Sequence, residues 1–234
     1  MRANDGAMKR VEAGMNRRAF GLSLAFGFAS VCVTTVARAG AATAPASIAP
    51  AAERLAATID ALDVEAHWPA GVHVDWETGL PDGKPSRGPG KHTHCSAFVA
   101  SAAKRIGIYI LRPPEHSPVL LANAQFEWLE KEGAQRGWQP LHDATEAQAA
   151  ANRGMFVVVS YRNHREDKPG HIAIVRPSDK SADLVRDEGP QITQAGGTNF
   201  KSTTTKRGFQ GHPRAFERQE LKYWAHPVSA DALK

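Results

Sequence analysis

Cysteine is scarce in this chain of 234 residues, which holds only Cys32 and Cys95. Because Cys32 falls within a predicted export leader, Cys95 is the one thiol expected in the mature protein. A lone thiol has no intramolecular partner, which excludes a disulfide framework and a dithiol redox site. Cys95 is then either a reactive group or a small, inert residue of the core.

Excess positive charge is also lacking once the leader is set aside. The whole sequence has a net charge of +5, but residues 1–39 hold six of its 29 basic residues and only two of its 24 acidic residues. The rest of the chain is therefore nearly neutral, which argues against nucleic acid as a partner. The sequence also has no internal repeat and no phosphate-binding glycine loop, and no cofactor is expected.

No hydrophobic run is long and apolar enough to predict a membrane span. The apolar stretch from Leu22 to Val36 is interrupted by glycine and serine, follows Arg17-Arg18, and precedes the small-x-small sequence Ala37-Arg38-Ala39. This order resembles a twin-arginine export signal followed by a cleavage site. We expect residues 1–39 to be removed and the mature protein to be periplasmic or secreted, without a membrane span; a retained membrane anchor is the alternative.

The remaining sequence predicts one α+β domain. Residues 40–50 are rich in alanine, threonine and proline and predict a flexible linker, and residues 51–234 are long enough to form a hydrophobic core. Helical patterns precede strand-like apolar runs, an order typical of helices packed on an antiparallel sheet. The predicted helices are 51–62, 94–107, 117–132 and 143–154; the predicted strands are 108–111, 155–161, 171–175, 191–195 and 219–226; residues 63–92 predict a long surface loop.

Cys95 lies at the start of a predicted helix, in the sequence HTHCSAFVA. At a helix N-terminus, unpaired backbone N–H groups and the positive end of the helix dipole favour thiolate over thiol. The flanking histidines would act in the same direction. We therefore expect a nucleophile with a lowered pKa, alkylated at a pH well below about 8.

A histidine and a polar residue follow Cys95 at positions that suit nucleophilic catalysis. His171 begins a predicted strand after Gly170, and Gln194 lies on the next predicted strand. Because neighbouring antiparallel strands bring side chains to within about 5 Å, Gln194 would accept one ring N–H of His171 while His171 takes the thiol proton. The helix start would supply backbone N–H groups, including that of Cys95, for an oxyanion hole.

Three segments carry a family resemblance: HCSAFVASAAKRIG, GHIAIV and ITQAG. Together they resemble the papain-like cysteine hydrolases of the NlpC and CHAP type, over residues 90–200. The resemblance implies a papain-like fold, with Cys95 as nucleophile, His171 as base and Gln194 as orienting residue. It also implies a peptidase or amidase acting on a peptide or peptidoglycan-like substrate. The third residue in NlpC-type enzymes is often histidine, and papain-like peptidases often use asparagine, so Asn199 is the alternative to Gln194.

Other functions remain open at this point. The same thioester would also serve acyl transfer to an amine, and an inactive module would use the groove only to bind a peptide. Zinc is a further alternative, because His92, His94, Cys95 and His171 are of suitable types, but the usual CxxC or HExxH spacing is missing and no metal is expected.

Candidate substrate contacts are chosen from the residues around these motifs. Trp76 is either a wall of the groove or a residue packed against the rim of the core. Histidines in predicted loops, His212 among them, are expected to be solvated. Nothing in the sequence indicates an oligomeric state. The candidate substrate contacts are Trp76, His94, Ser96 and Asn199.

Overall fold

The structure is a computed structural model that describes residues 47–86 and 92–234. These residues belong to one compact unit, Ala42–Lys234. The expected leader, residues 1–39 with Cys32, lies outside the described residues, as does most of the predicted linker. At the described end of that linker, the backbone N–H of Ala49 donates to the carbonyl of Asn152 at 2.8 Å, and the first helix begins at Pro50.

Seven α-helices occur in the described residues. Proline opens two of them, as expected because its missing N–H costs nothing in the first turn of a helix. Two short 3-10 segments, Gly133–Arg136 and Ala230–Leu233, accompany them. The helices are α1 (Pro50–Asp60), α2 (Cys95–Arg105), α3 (Leu121–Lys131), α4 (Ala144–Asn152), α5 (Ala182–Glu188), α6 (Thr205–Gly208) and α7 (Pro213–Glu217).

The described strands form one antiparallel sheet of six strands, in the order β1-β6-β2-β3-β4-β5. The predicted α+β class is confirmed by this combination of helices and an antiparallel sheet. No helix in the described part of the chain has both the length and the apolar character needed to cross a membrane. The strands are β1 (Gln139–Leu141), β2 (Phe156–Tyr161), β3 (His171–Val175), β4 (Gln191–Gln194), β5 (Phe200–Thr204) and β6 (Lys222–His226).

The central strands β2 and β3 are buried along their whole length, which explains their continuous apolar sequences. Because side chains alternate along a strand, Ile172 and Ile174 join the core formed with α1, α2 and α3. Ala173 and Val175 join a second core on the other face, which includes α4 and Phe209. The sheet is therefore covered on both faces.

Helix α2 is built for close packing. Every residue from Cys95 to Ala103 is buried, and most of their side chains are small, so the helix can approach β3 closely. It ends at Arg105, and the predicted stop Gly107 follows two residues later, with a φ of 73° that glycine adopts without strain. The start of α4 is also confirmed, because the Asp143 side chain accepts from the Glu146 N–H at 2.8 Å.

The prediction of a strand at residues 108–111 is wrong. The backbone N–H of Ile108 closes the end of α2 by donating to Ala103 O at 2.9 Å. The backbone carbonyls that a strand would pair with a neighbour accept from side chains instead: the Trp138 indole donates to Tyr109 O, and Gln125 Nε2 donates to Leu111 O. The predicted helix 117–132 begins four residues late, because Leu120 has a left-handed backbone conformation.

Candidate active site

The structure brings Cys95, His171 and Gln194 to the wall of one groove with a volume of about 1090 Å³. Cys95 is the first residue of α2, His171 the first of β3 and Gln194 the last of β4. The pairing of β4 with β5 shifts register between Ile192 and Gln194. Such a bulge re-aims the side chains beside it, here at the mouth of the groove.

His171 and Gln194 form the best-defined contact of the site. The distance between His171 Nε2 and Gln194 Oε1 is 2.8 Å. Gln194 Nε2 donates to Thr198 O at 3.2 Å, which fixes the oxygen of the amide toward the imidazole. Because that oxygen can only accept, the proton of the neutral ring lies on Nε2 and the lone pair on Nδ1. Nδ1 has no hydrogen-bond partner among the described residues, so it is free to act as a base.

Aromatic residues surround the His171 ring. Phe209 lies edge-on, with ring centroids 4.7 Å apart and an angle of 77° between the planes. The His212 ring is stacked at 6.2 Å and 28°. Burial lowers the pKa of His171, and the hydrogen bond to Gln194 offsets this only in part. The imidazole is therefore neutral at neutral pH.

Burial raises the pKa of the Cys95 thiol above its ordinary value. The backbone N–H groups of Ile172, Ser96 and Cys95 itself act in the opposite direction, because they stabilise the thiolate, but burial is the larger effect. The expectation of a lowered pKa is corrected here: the helix start helps the thiolate as predicted, and desolvation outweighs it. The resting site holds a neutral thiol and a neutral imidazole rather than an ion pair.

The thiol and the imidazole reach the groove from different faces of the sheet. Cys95 belongs to the core that contains Ile172, whereas the His171 ring contacts Phe209, which belongs to the core on the opposite face. Both residues line the groove near the start of β3, where the Ile172 backbone N–H faces Sγ, and no hydrogen bond joins Sγ to the ring among the described residues. Catalytic hydrogen bonds are often long before substrate binds. Proton transfer requires Sγ and Nδ1 to reach hydrogen-bond distance in the substrate complex.

Two of the predicted substrate contacts lie on the groove wall. His94 Nε2 lies 2.9 Å from Val72 O, so the ring fastens a neighbouring loop to the start of α2. Burial lowers the pKa of His94, which keeps this ring neutral. Ser96 is buried, and its backbone N–H is one of the three that favour the thiolate.

The other two predicted contacts, Trp76 and Asn199, do not line the groove. Trp76 packs against the core, with Lys104 Nζ 5.4 Å from the centre of its ring. Asn199 Nδ2 donates to the carbonyls of Val64, His67 and Trp68 at 2.8, 2.8 and 3.1 Å. Both predictions are corrected: Trp76 belongs to the rim of the core, and Asn199 anchors a loop and is not the partner of the imidazole.

Asn123 on α3 is a residue of the site region that sequence reasoning missed. Its Oδ1 accepts from Gly170 N at 2.8 Å and from Asn163 N at 3.1 Å, and its Nδ2 donates to Lys168 O at 2.9 Å. A Cβ on Gly170 would lie 2.6 Å from that Oδ1. Asn123 therefore fixes the loop that delivers His171. The signal in the sequence that could have indicated this role was an asparagine on the apolar face of an amphipathic helix.

His212 was expected to be solvated, and this is corrected. The residue is half-buried on the groove wall, and burial together with the nearby His171 lowers its pKa to about 4.

Within residues 47–86 and 92–234, no group of three or more histidine, cysteine, aspartate or glutamate residues is placed to hold a metal ion. His171 Nε2 is engaged by Gln194 and His94 Nε2 by Val72 O, so neither of these two nitrogens is free to bind a metal ion.

Comparison with protein-family models and with curated protein sequences finds no match to this chain.

Proposed function

We propose that this protein is an exported cysteine hydrolase that cleaves an amide or peptide bond through a thioester on Cys95. The observation that carries the proposal is the His171–Gln194 hydrogen bond, since it leaves Nδ1 as the free base in the groove that also contains the thiol. The order Cys, His, Gln along the chain, with the thiol at a helix start, supports a papain-like site on this α+β fold.

In the proposed reaction the thiol is deprotonated as it attacks. The Cys95 proton passes to His171 Nδ1 while Sγ bonds to the substrate carbonyl carbon, and the C–N bond then breaks as the imidazolium protonates the leaving amine. Water, deprotonated by the same nitrogen, cleaves the thioester to a carboxylic acid and restores the thiol. Backbone N–H groups at the start of α2 would stabilise the oxyanion.

The groove suits a peptide-like substrate. Val72 and Val119 on its wall are 41% and 55% exposed, so apolar side chains of a ligand can pack there. Lys84, Asp167 and Lys168 also line the groove, and Lys84 is paired with Asp82 at 3.0 Å, so the wall offers charged groups of both signs. Stem peptides of peptidoglycan are the substrate class that the resemblance and the predicted export leader favour.

One observation favours a second candidate, an inactive peptide-binding module. A buried thiol with a raised pKa and no hydrogen bond to the imidazole is also what a module without catalysis would retain.

The test incubates purified protein with peptidoglycan and with synthetic peptides, and follows new amino and carboxyl groups by mass spectrometry. Wild type should release products and, after acid quenching, carry an acyl group on Cys95, and added amine should reveal any acyl transfer. Cys95→Ala should fold normally and release nothing. His164→Ala, at an exposed histidine, is the control and should match wild type.

Turnover that persists in Cys95→Ala would overturn the proposal. Peptide binding by wild type without turnover would assign the inactive module instead.

A further inference from the structure

The segment Gly208–His212, which begins at the last residue of helix α6, lies against the His171–Gln194 pair. Four of its five residues line the groove, and the fifth, Phe209, is fully buried against the imidazole. The family resemblance ends before this segment, at residue 200, so no catalytic or binding role follows for it from the sequence motifs.

Gly208 leaves the space that Gln194 needs. A Cβ on Gly208 would lie 2.6 Å from Gln194 Oε1, the atom that accepts from His171. On the nitrogen side of the same amide, a Cβ on Gly196 would lie 2.9 Å from Gln194 Nε2. The carboxamide is therefore held between two glycines, and any larger residue at 208 competes with Oε1 for its position.

Phe209 and His212 restrict the rotation of the His171 ring. Phe209 meets the His171 ring at 77° and His212 stacks on it at 28°. Rotation of the imidazole would carry its edge into one ring or the other. The orientation that directs Nε2 to Gln194 and leaves Nδ1 free is thus maintained by contacts from a single short segment.

We propose that Gly208–His212 is a positioning segment that holds the side chains of His171 and Gln194 in the relative orientation needed for catalysis. Gly208 leaves space for the carboxamide oxygen of Gln194, and Phe209 fixes the ring of His171. The role rests on the proposed function, since it concerns the base of that reaction. None of these residues needs to touch the substrate for the segment to act.

A side chain at position 208 should impair the pair without unfolding the protein. The atoms that the new Cβ would meet are Gln194 Oε1 and Ile192 Cδ1, both at the ends of flexible side chains. When the Gln194 amide moves aside it loses its hydrogen bonds to His171 and Thr198, so thermal stability should fall by the loss of up to two hydrogen bonds while the protein stays folded.

The experiment compares Gly208→Ala with Lys206→Ala, each alone and combined with Gln194→Ala. Lys206 is the control because it lies on the same helix α6, outside the positioning segment and the groove, and its side chain is 57% exposed. The readouts are thermal stability, kcat and KM on the peptide substrate, and the ring nitrogen NMR shifts of His171, which report its tautomer.

Gly208→Ala should lower kcat about tenfold with little change in KM, as expected for the loss of one hydrogen bond to the base. The ring nitrogen shifts should show a mixture of tautomers. Lys206→Ala should remain within about twofold of wild type. In the Gln194→Ala background, Gly208→Ala should have no further effect, because the two changes remove the same interaction.

Equal nitrogen shifts in Gly208→Ala and Lys206→Ala, or full additivity of Gly208→Ala with Gln194→Ala, would overturn the proposal. If Gly208→Ala fails to fold, Phe209→Leu tests the same segment through the ring contact and should also mix the tautomers of His171; unchanged shifts there would overturn it. The tautomer of His171 is measured without turnover. A protein that hydrolyses nothing would therefore contradict the proposed function, while the NMR shifts would still test the positioning role of the segment.

Discussion

His171 Nε2 lies 2.8 Å from Gln194 Oε1, and this contact leaves Nδ1 as the ring nitrogen without a hydrogen-bond partner among the described residues. The partner is a neutral amide, so it orients the ring without adding the negative charge that a carboxylate would bring. Burial lowers the pKa of His171, and the hydrogen bond to Gln194 offsets this only in part, so the imidazole is held neutral; burial of Cys95 keeps its thiol protonated. The resting site therefore holds two neutral groups rather than a preformed ion pair.

Replacing Gln194 should cost less than replacing the base itself. Gln194→Ala is expected to lower kcat about tenfold, since one orienting hydrogen bond is lost, whereas His171→Ala should lower it by about 10²- to 10⁴-fold, on the order expected for loss of a general base. Steady-state kinetics on a peptide substrate measure both. Asp183→Ala, at a residue outside the groove whose side chain is 88% exposed, is the control; equal losses in the Gln194 and His171 variants would contradict this division of roles.

The thiol of the free protein should be alkylated slowly at neutral pH. Burial raises the pKa of Cys95 above the ordinary value of 9.0, so the thiolate fraction, and with it the rate with iodoacetamide, should still be rising at pH 9. Mass spectrometry against pH gives the rate, with the unfolded protein as reference. A plateau reached below about pH 8 would show that the thiolate is already present and would contradict the raised pKa.

The sequence predicts features that depend on neighbouring residues, and it misses features that depend on contacts between residues far apart along the chain. Cys95 and His171 were proposed because the start of a helix and the start of a strand are local signals, Gln194 was proposed because it lies on the next predicted strand, and the α+β class follows from the order of those elements. The direction of the Cys95 pKa was not predictable, since the helix start is visible in the sequence but the packing of α2 on β3 that desolvates the sulfur is not.

Side chains that act far along the chain were the hardest to predict. Asn199 donates hydrogen bonds to carbonyls more than 130 positions earlier in the chain, and Asn123 accepts one from a loop residue more than 40 positions later. The edge strand β5 was missed because Phe200–Thr204 is mostly polar, and the segment Gly208–His212 was missed because a glycine beside a buried amide has no sequence signature of its own.

Asn123 should support activity through the loop before His171. Asn123→Ala removes three hydrogen bonds to backbone groups, two accepted and one donated, and should lower the free energy of unfolding by about 1–3 kcal/mol while reducing kcat. Asn123→Asp keeps the acceptor and should restore part of both. Denaturant unfolding and kinetics measure them, and equal behaviour of the two variants would contradict the role of the acceptor.

Asn199 should matter for stability rather than for the imidazole. Asn199→Ala leaves the carbonyls of Val64, His67 and Trp68 without their shared donor, so the free energy of unfolding should fall by about 1–3 kcal/mol. The tautomer of His171, read by nitrogen NMR, should not change. A fully folded Asn199→Ala protein that loses more activity than Gln194→Ala would instead make Asn199 the third residue.

Stability should fall on acidification, and His212 should account for part of the fall. Its pKa in the folded protein is about 4, against an ordinary value of 6.5, because burial and the neighbouring His171 oppose its charge. As the pH falls below about 6.5, the unfolded chain therefore binds a proton before the folded protein does, and folding loses free energy until the pH reaches about 4. The lowered pKa of His171 acts with the same sign.

The variant His212→Phe separates this contribution from the others. It keeps an aromatic ring against His171 but cannot be protonated, so its melting temperature should decline less than that of wild type between pH 6.5 and pH 4. His164→Phe changes a histidine whose side chain is 70% exposed, and its melting curve should follow wild type over the same range. Equal slopes for His212→Phe and wild type would mean that His212 is protonated as readily in the folded protein as in the unfolded chain, and that the stack on His171 does not oppose its charge.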